Sequence, residues 1–252
     1  MQNPVNTFKA ALESGKQQIG LWMTVPGTVV PEALAGLGYD WICVDTEHSQ
    51  LEVVDAVASL QGLKGYPVHP VVRPALNDEA LIKRVLDLGA QTILVPQVQT
   101  PEEAELAVKR ALYPPVGIRG VAGVTRASHY GLVKDYLQTA NEQICVLVQV
   151  ETGAALARLD EIAQVKGVGG VFIGPADLAA SLGHPGNPNH PDVRSAIEGA
   201  IVRLKELGVP SGILTLDPTF AKRCIELGTT FTAVGVVLSL MLASAKALRD
   251  QF

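Results

Sequence analysis

The chain has 252 residues, of which 48% are hydrophobic and 18% charged, enough to form a large buried core. Its 20 basic and 25 acidic residues give a net charge of −5, which argues against nucleic acid or an anionic membrane surface as a partner. Three scattered cysteines, and an N-terminus without signal-peptide features, lead us to expect a reduced, cytoplasmic protein.

Short apolar runs recur along the chain and predict eight β-strands. Most of these runs are continuous instead of alternating, which is typical of parallel strands covered on both faces. The predicted strands are Ile19–Met23, Trp41–Val44, Pro70–Val72, Thr92–Val95, Ile144–Val150, Gly170–Ile173, Gly212–Leu214 and Phe231–Val234.

Longer helical segments alternate with these strands. Thr100 precedes Pro101 as a helix cap, and Leu-Gly pairs such as Leu88-Gly89 predict helix ends. The predicted helices are Pro31–Leu37, Leu51–Leu63, Asp78–Leu88, Pro101–Leu112, Gly153–Ala163, Asp192–Leu207 and Pro218–Leu227.

The alternation predicts an α/β fold, a single (β/α)8 TIM barrel spanning residues 1–252. A doubly wound open sheet is the alternative, but no Gly-x-Gly-x-x-Gly motif follows the first strand. The last segment, Val236–Leu248, is apolar on nearly all sides. Because an outer barrel helix normally has one polar face, we expect this segment to pack on another subunit.

Polar groups follow four of the predicted strands, and a barrel would place all of them at one mouth. Such a mouth suits a divalent metal and a small anionic substrate. The four segments are Asp45-Thr46-Glu47-His48, Arg73-Pro74, Gln149-Val150-Glu151-Thr152 and Gly174-Pro175-Ala176-Asp177.

Glu151 and Asp177 follow strands that would be neighbours in the barrel. Two adjacent carboxylates repel each other unless a cation or a shared proton lies between them, and oxygen ligands favour Mg²⁺ or Mn²⁺. We therefore predict a metal site, with a structural helix cap as the alternative role of Asp177.

His48 and Arg73 are the other candidates. Asp45 and Glu47 could orient or charge the His48 ring, although a solvated loop histidine is the simpler interpretation. Arg73 suits a substrate carboxylate or an oxyanion, with an ion pair to Asp45 or Glu47 as an equal alternative. No lysine ends a strand, so Schiff-base chemistry is not expected and carbonyl chemistry would need a metal.

Together, these segments resemble the HpcH/HpaI family of metal-dependent (class II) pyruvate aldolases over nearly the whole chain. The further matching segments are Ile19-Gly20-Leu21-Trp22, Pro70–Pro74, Leu94-Val95-Pro96, Tyr113-Pro114-Pro115, Gly117-Ile118-Arg119-Gly120 and Val171–Leu178.

The resemblance implies cleavage of 4-hydroxy-2-oxo acids into pyruvate and an aldehyde such as succinic semialdehyde, with Mg²⁺, Mn²⁺ or Co²⁺ and no organic cofactor. It implies Glu151 and Asp177 as metal ligands, His48 as acid/base and Arg73 as the group that stabilises the enolate. It also implies support from Asp45 and Asp87, with a contribution across a subunit interface, and a homo-hexamer that exchanges its last helix. The substrate-binding residues that it implies are Arg73, Gln149, Gly174, Ala176 and Asp177, with Trp22, Val121, Leu214 and Val234 on the aldehyde side.

Two other functions remain as alternatives. A CoA-thioester lyase of the citrate-lyase β type would need a basic groove, for which Tyr113–Arg126 is the candidate. A catalytically silent barrel that serves as a binding subunit would lack metal binding. His129-Tyr130 replaces an Arg-Trp pair frequent in the family, which leaves the acceptor aldehyde open.

Overall fold

The computed structural model describes residues 1–252, and its eight parallel strands form a closed barrel in chain order. This confirms the predicted (β/α)8 fold. The elements are α1 (Thr7–Glu13), β1 (Gln18–Met23), α2 (Val29–Ala35), β2 (Trp41–Asp45), α3 (Val53–Gly62), β3 (His69–Arg73), α4 (Glu79–Asp87), β4 (Thr92–Val95), α5 (Pro101–Ala111), α6 (Tyr136–Gln143), β5 (Cys145–Val150), α7 (Gly153–Ala157), α8 (Leu159–Ala163), β6 (Val168–Ile173), α9 (Pro175–Ser181), α10 (Pro191–Glu206), β7 (Ser211–Leu214), α11 (Pro218–Leu227), β8 (Phe231–Val236) and α12 (Val237–Arg249).

Each strand lies within about two residues of its predicted bounds, because fully buried parallel strands are continuous apolar runs with polar ends. The predicted helix Gly153–Ala163 is divided into α7 and α8 at Arg158, whose φ of −111° departs from helical geometry. Helices α1, α6 and α9 had no predicted bounds.

The predicted Leu-Gly helix ends are confirmed for α4, α10 and α11, whereas α2 ends at Ala35 with Gly36 as its cap, before the pair Leu37-Gly38. The glycines of these pairs have left-handed backbones, with φ of 86° at Gly38, 95° at Gly89, 69° at Gly208 and 131° at Gly228. Because a residue without a Cβ adopts this conformation at little cost, glycine lets the chain leave the helix and turn toward the next strand.

The core has two layers, one inside the barrel and one between the strands and the helices. Aromatic rings dominate the inside, where Trp41, Phe172 and Phe231 are buried beneath Trp22. Helix α1 closes the end opposite the mouth by inserting Phe8, whose ring makes edge contacts with Trp41 and Phe231. The outer layer consists mainly of aliphatic side chains.

Helix α12 packs against β1 and β8 but leaves an apolar face exposed. We call this face the α12 face, and it consists of Leu238, Leu240, Met241, Leu242 and Leu248. None of the helices is both long enough and apolar enough to cross a membrane.

Candidate active site at the barrel mouth

Asp45 and Arg73 form a buried ion pair at the ends of β2 and β3, where the strand register places them side by side. Arg73 Nε donates to Asp45 Oδ1 at 2.8 Å, and Nη2 donates to Oδ2 at 2.6 Å. Burial opposes ionisation of Asp45, but the hydrogen bonds and charge of Arg73 outweigh it and lower the pKa of that carboxyl. Trp22 Nε1 donates to the same carboxylate at 3.1 Å, and its ring lies 5.0 Å from the guanidinium carbon.

Glu47 lies on the other side of the Arg73 guanidinium. Its Oε2 is 2.7 Å from Arg73 Nη1, although that contact lacks hydrogen-bond geometry and the oxygen is otherwise unpartnered. Burial raises the pKa of Glu47, against the opposing charges of Arg73 and His48. Both ion pairs that we considered for Arg73 therefore form, and they fix the guanidinium at the mouth.

His48 is the exposed member of the group, with 64% of its side chain accessible to solvent. Its Nε2 lies 3.8 Å from Glu47 Oε1, and its backbone N–H donates to Asp45 Oδ1 at 3.3 Å. The ring therefore stands at the open side of the mouth, where it can exchange a proton with a bound molecule or with water.

Glu151 is buried at the end of β5, and each of its carboxylate oxygens accepts a hydrogen bond. Gln97 N–H donates to Oε1 at 2.9 Å, and Gln149 Nε2 donates to Oε2. Burial raises the pKa of Glu151 to about 7, and the charges of Asp177 and Glu47 add to the effect. A cation beside Glu151 would remove this penalty and restore the charged form.

The turn after β6 brings Asp177 to this carboxylate. Gly174 precedes the first turn of α9, and a Cβ at this position would lie 2.6 Å from Glu151 Oε2 and 2.9 Å from Gln149 Nε2. Glycine is therefore required for the close approach of β6 to Glu151. Asp177 is half-buried in the first turn of α9, where its side chain caps no backbone group.

These residues fit a divalent cation. Asp45, Glu47, Glu151 and Asp177 supply four carboxylates, whereas Arg73 is the one guanidinium among them. Mg²⁺ typically takes one or two protein carboxylates and completes its shell with water and substrate. A divalent metal ion, in addition to the Arg73 guanidinium, therefore matches both the excess negative charge and the hard oxygen donors.

Other residues implied by the resemblance are divided between the two ends of the barrel. Leu214 and Val234 lie on β7 and β8 and are partly buried. Asp87 ends α4 at the opposite end of the barrel, where Arg119 Nη2 donates to its Oδ1 at 2.7 Å. Val121, in the loop after α5, is 61% exposed. The structure therefore does not bring Asp87 or Val121 to the mouth of their own barrel.

Gln97 is a site residue that we did not identify from the sequence. It follows β4 directly after Pro96, and its φ of 57° is unusual for a residue other than glycine. This backbone conformation accompanies the hydrogen bond from its N–H to Glu151. Its position just beyond a strand end was the available signal.

A family model described as HpcH/HpaI aldolase/citrate lyase matches residues 18–244. The chain belongs to this family. The match confirms the resemblance and, together with aldolase relatives at 50–56% identity, the predicted carbon–carbon lyase.

Individual members of the HpcH/HpaI family are similar over nearly the whole chain. The pyruvate aldolase of Rhizobium etli is 56% identical over 100% of this chain and 99% of its own length. The 4-hydroxy-2-oxo-heptane-1,7-dioate aldolase of Shigella sonnei is 50% identical, with coverage of 98% and 95%. The crystal structure of an HpcH/HpaI aldolase/citrate lyase family protein from Burkholderia cenocepacia superposes with a TM-score of 0.94 at 39% identity, covering 98% and 99%.

Proposed function

We propose that this lyase cleaves 4-hydroxy-2-oxo acids into pyruvate and an aldehyde, and that it also catalyses the reverse addition. The observation that carries the proposal is the buried Glu151, with its raised pKa, beside Asp177 and linked to Arg73 through Gln149. The similarity to relatives named as pyruvate and 4-hydroxy-2-oxo-heptane-1,7-dioate aldolases supports the same chemistry.

Glu151 and Asp177 would hold a divalent metal, Mg²⁺, Mn²⁺ or Co²⁺, with Gln149 beside them. When bound, the metal would draw electron density from the 2-oxo group as a Lewis acid. The first-turn N–H groups at Ala176 and Asp177 would receive the substrate carboxylate, because backbone donors at a helix start are free to bind anions.

His48 would take the proton from the hydroxyl at C4, directly or through water. The C3–C4 bond then breaks, its electron pair moves to C3 and C2, and the aldehyde is released. Arg73 would donate to the oxygen at C2 as negative charge develops there, while Asp45 and Glu47 hold the guanidinium in place. Protonation at C3 yields pyruvate.

The proposal includes a homo-oligomer, a hexamer by the family resemblance. Asp87 and Val121 lie away from the mouth of their own barrel, so a role for them in the reaction requires the mouth of a neighbouring subunit. The exposed α12 face supports such an assembly, because a contiguous apolar surface is typical of an interface.

Proton exchange of the pyruvate methyl group in D₂O tests this function. We expect no exchange in the chelated protein and exchange once Mg²⁺, Mn²⁺ or Co²⁺ is restored, because only then is the enolate accessible. Glu151→Gln should abolish the exchange, whereas Glu161→Gln, the same change on α8 beside Arg158, should retain it.

Absence of exchange with every metal would overturn the proposal, and binding of CoA would then favour the thioester lyase. With exchange established, a screen of aldehydes in the addition direction would identify the acceptor.

A further inference from the structure

His184 in the loop between α9 and α10, His190 at the cap of α10 and Asp192 in its first turn meet outside the residues of the mouth. His184 Nε2 lies 3.3 Å and His190 Nδ1 lies 3.6 Å from Asp192 Oδ2. The two imidazole rings stack with centroids 3.5 Å apart and planes inclined by 13°. One ligand atom from each residue can be chosen so that all three lie within 4.8 Å of one another.

We propose that His184, His190 and Asp192 form a second metal site, for a borderline transition ion such as Zn²⁺ or Co²⁺. Imidazole nitrogens favour these ions, whereas the carboxylates of the mouth favour harder ones. In a tetrahedral site with bonds near 2.1 Å, ligand atoms are separated by about 3.4 Å. The two distances to Asp192 Oδ2 are close to that spacing, whereas the stacked rings must rotate before both nitrogens face one ion.

The loop is stiff, which favours binding because little conformational entropy is lost. Pro185, Pro188 and Pro191 restrict its backbone. His184 N–H donates to Ala179 O at 2.8 Å, which fixes the start of the loop on α9. Arg194 donates to Asn189 Oδ1 at 2.9 Å, which fixes the other end on α10.

Accessibility and charge also suit a cation. The His184 and His190 side chains are 26% and 32% exposed, so an ion can enter and water can complete its coordination. The soft ring torsions of histidine allow both nitrogens to turn toward one ion. Asp192 offsets the partial positive charge at the start of α10. The neighbouring cation Arg194 is neutralised by Asp217 at 2.7 Å.

The ion would join the end of α9 to the start of α10. Helix α9 carries Asp177 in its first turn, five residues before the loop begins at Leu182. Occupancy of the second site would therefore stabilise the segment that presents Asp177 to the mouth.

A purely structural role is the competing explanation. His190 Nδ1 accepts the Asp192 N–H at 3.3 Å and so caps α10. A cap and a stacked ring pair need no ion, and the two explanations differ in whether removal of the nitrogens changes metal uptake.

The test titrates Co²⁺ into Glu151→Gln protein in excess Mg²⁺. The substitution removes a ligand of the mouth, and the Mg²⁺ competes with Co²⁺ for any site that remains there. Visible absorption follows binding, because tetrahedral cobalt absorbs strongly and octahedral cobalt weakly. We expect one equivalent of tetrahedral Co²⁺, displaced by Zn²⁺, and a rise in Tm, because an ion that binds only the folded state stabilises it.

Two further substitutions are made separately in the Glu151→Gln protein: His184→Phe, which keeps a stacked ring, and His190→Asn, which keeps a capping group. Each should lower the affinity for Co²⁺ by about tenfold or more. His129→Asn removes a histidine from another loop, at a φ of 48° that asparagine tolerates, and should not change uptake. Equal uptake with and without His184→Phe would overturn the second site, as would the lack of any tetrahedral signal. Neither result bears on pyruvate exchange at the mouth.

Discussion

At the residue scale, the mouth depends on close approach as much as on charge. Asp45 and Arg73 pair because the register of β2 and β3 places them side by side, and Glu151 is hydrogen-bonded through both oxygens. The geometry at Glu151 in turn depends on the absence of a side chain at Gly174.

Gly174→Ala should reduce metal affinity by about 10–100-fold, the usual effect of disturbing the groups that orient a ligand. The new Cβ would lie 2.6 Å from Glu151 Oε2 and 2.8 Å from Glu151 Cβ, so the carboxylate must move. Calorimetric titration with Mn²⁺ measures the change.

Gly199→Ala is the matched control, because nothing lies within 4 Å of the added methyl group on α10. It should leave metal affinity unchanged and stabilise the helix by about 0.5–1 kcal/mol. Equal affinities of the wild type and Gly174→Ala would contradict the assigned role of Gly174.

The sequence sufficed to bring Glu151 and Asp177 to one mouth, because residues that follow neighbouring parallel strands meet at that end of a barrel; their role as metal ligands stays a prediction. It did not reveal Gln97, because this residue acts through a backbone N–H whose direction depends on φ and not on the side chain. The choice among partners of Arg73 also stayed open until the register of β2 and β3 was known.

At the element scale, the strands were predictable because each is an apolar run bounded by polar residues. Helix α6 was not, since it follows a long Gly/Pro-rich stretch and Asp135 makes no side-chain cap at its start. The apolar α12 was recognised from its sequence, and in the structure its apolar face is exposed.

Leu242→Glu should reduce the mass of the assembly measured by light scattering. This side chain is 58% exposed on α12, and a charge in an apolar contact should cost roughly 2 kcal/mol or more at each copy of the interface. The subunit itself should remain folded, because the position is already open to solvent in the monomer.

Val202→Glu provides the comparison on α10, where the side chain is 39% exposed outside the α12 face. The mass of this variant should equal that of the wild type. If Leu242→Glu also has the wild-type mass, the α12 face is not an interface.

At the scale of the whole molecule, stability should depend on a histidine at the end of the barrel opposite the mouth. His69 is buried at the start of β3, with Nε2 2.9 Å from Thr92 Oγ1, and burial lowers its pKa from 6.5 to about 4. Because the unfolded chain binds the proton more readily, stability is present above about pH 6.5 and is lost as the pH falls toward 4.

Between about pH 7 and pH 5, this group should remove about 2 kcal/mol of the free energy of unfolding. His69→Gln keeps a polar partner for Thr92 without titrating, so urea unfolding of this variant should show a smaller loss over the same interval. His129→Asn should retain the wild-type loss, because His129 is only partly buried. A wild-type slope in His69→Gln would contradict this origin of the acid sensitivity.

The aromatic floor of the barrel has a kinetic consequence for the proposed reaction. Phe8, Trp41, Phe172 and Phe231 fill the interior below the mouth, so no channel runs through the barrel. Both fragments of a cleaved substrate must leave through one opening. In the proposed mechanism, the fragment bound at Glu151, Asp177 and Arg73 would lie deeper and would depart only after the outer one. If the proposed cleavage takes place here, release would therefore be ordered, with the aldehyde first and pyruvate last, and the synthetic direction would load the same fragments in the opposite order.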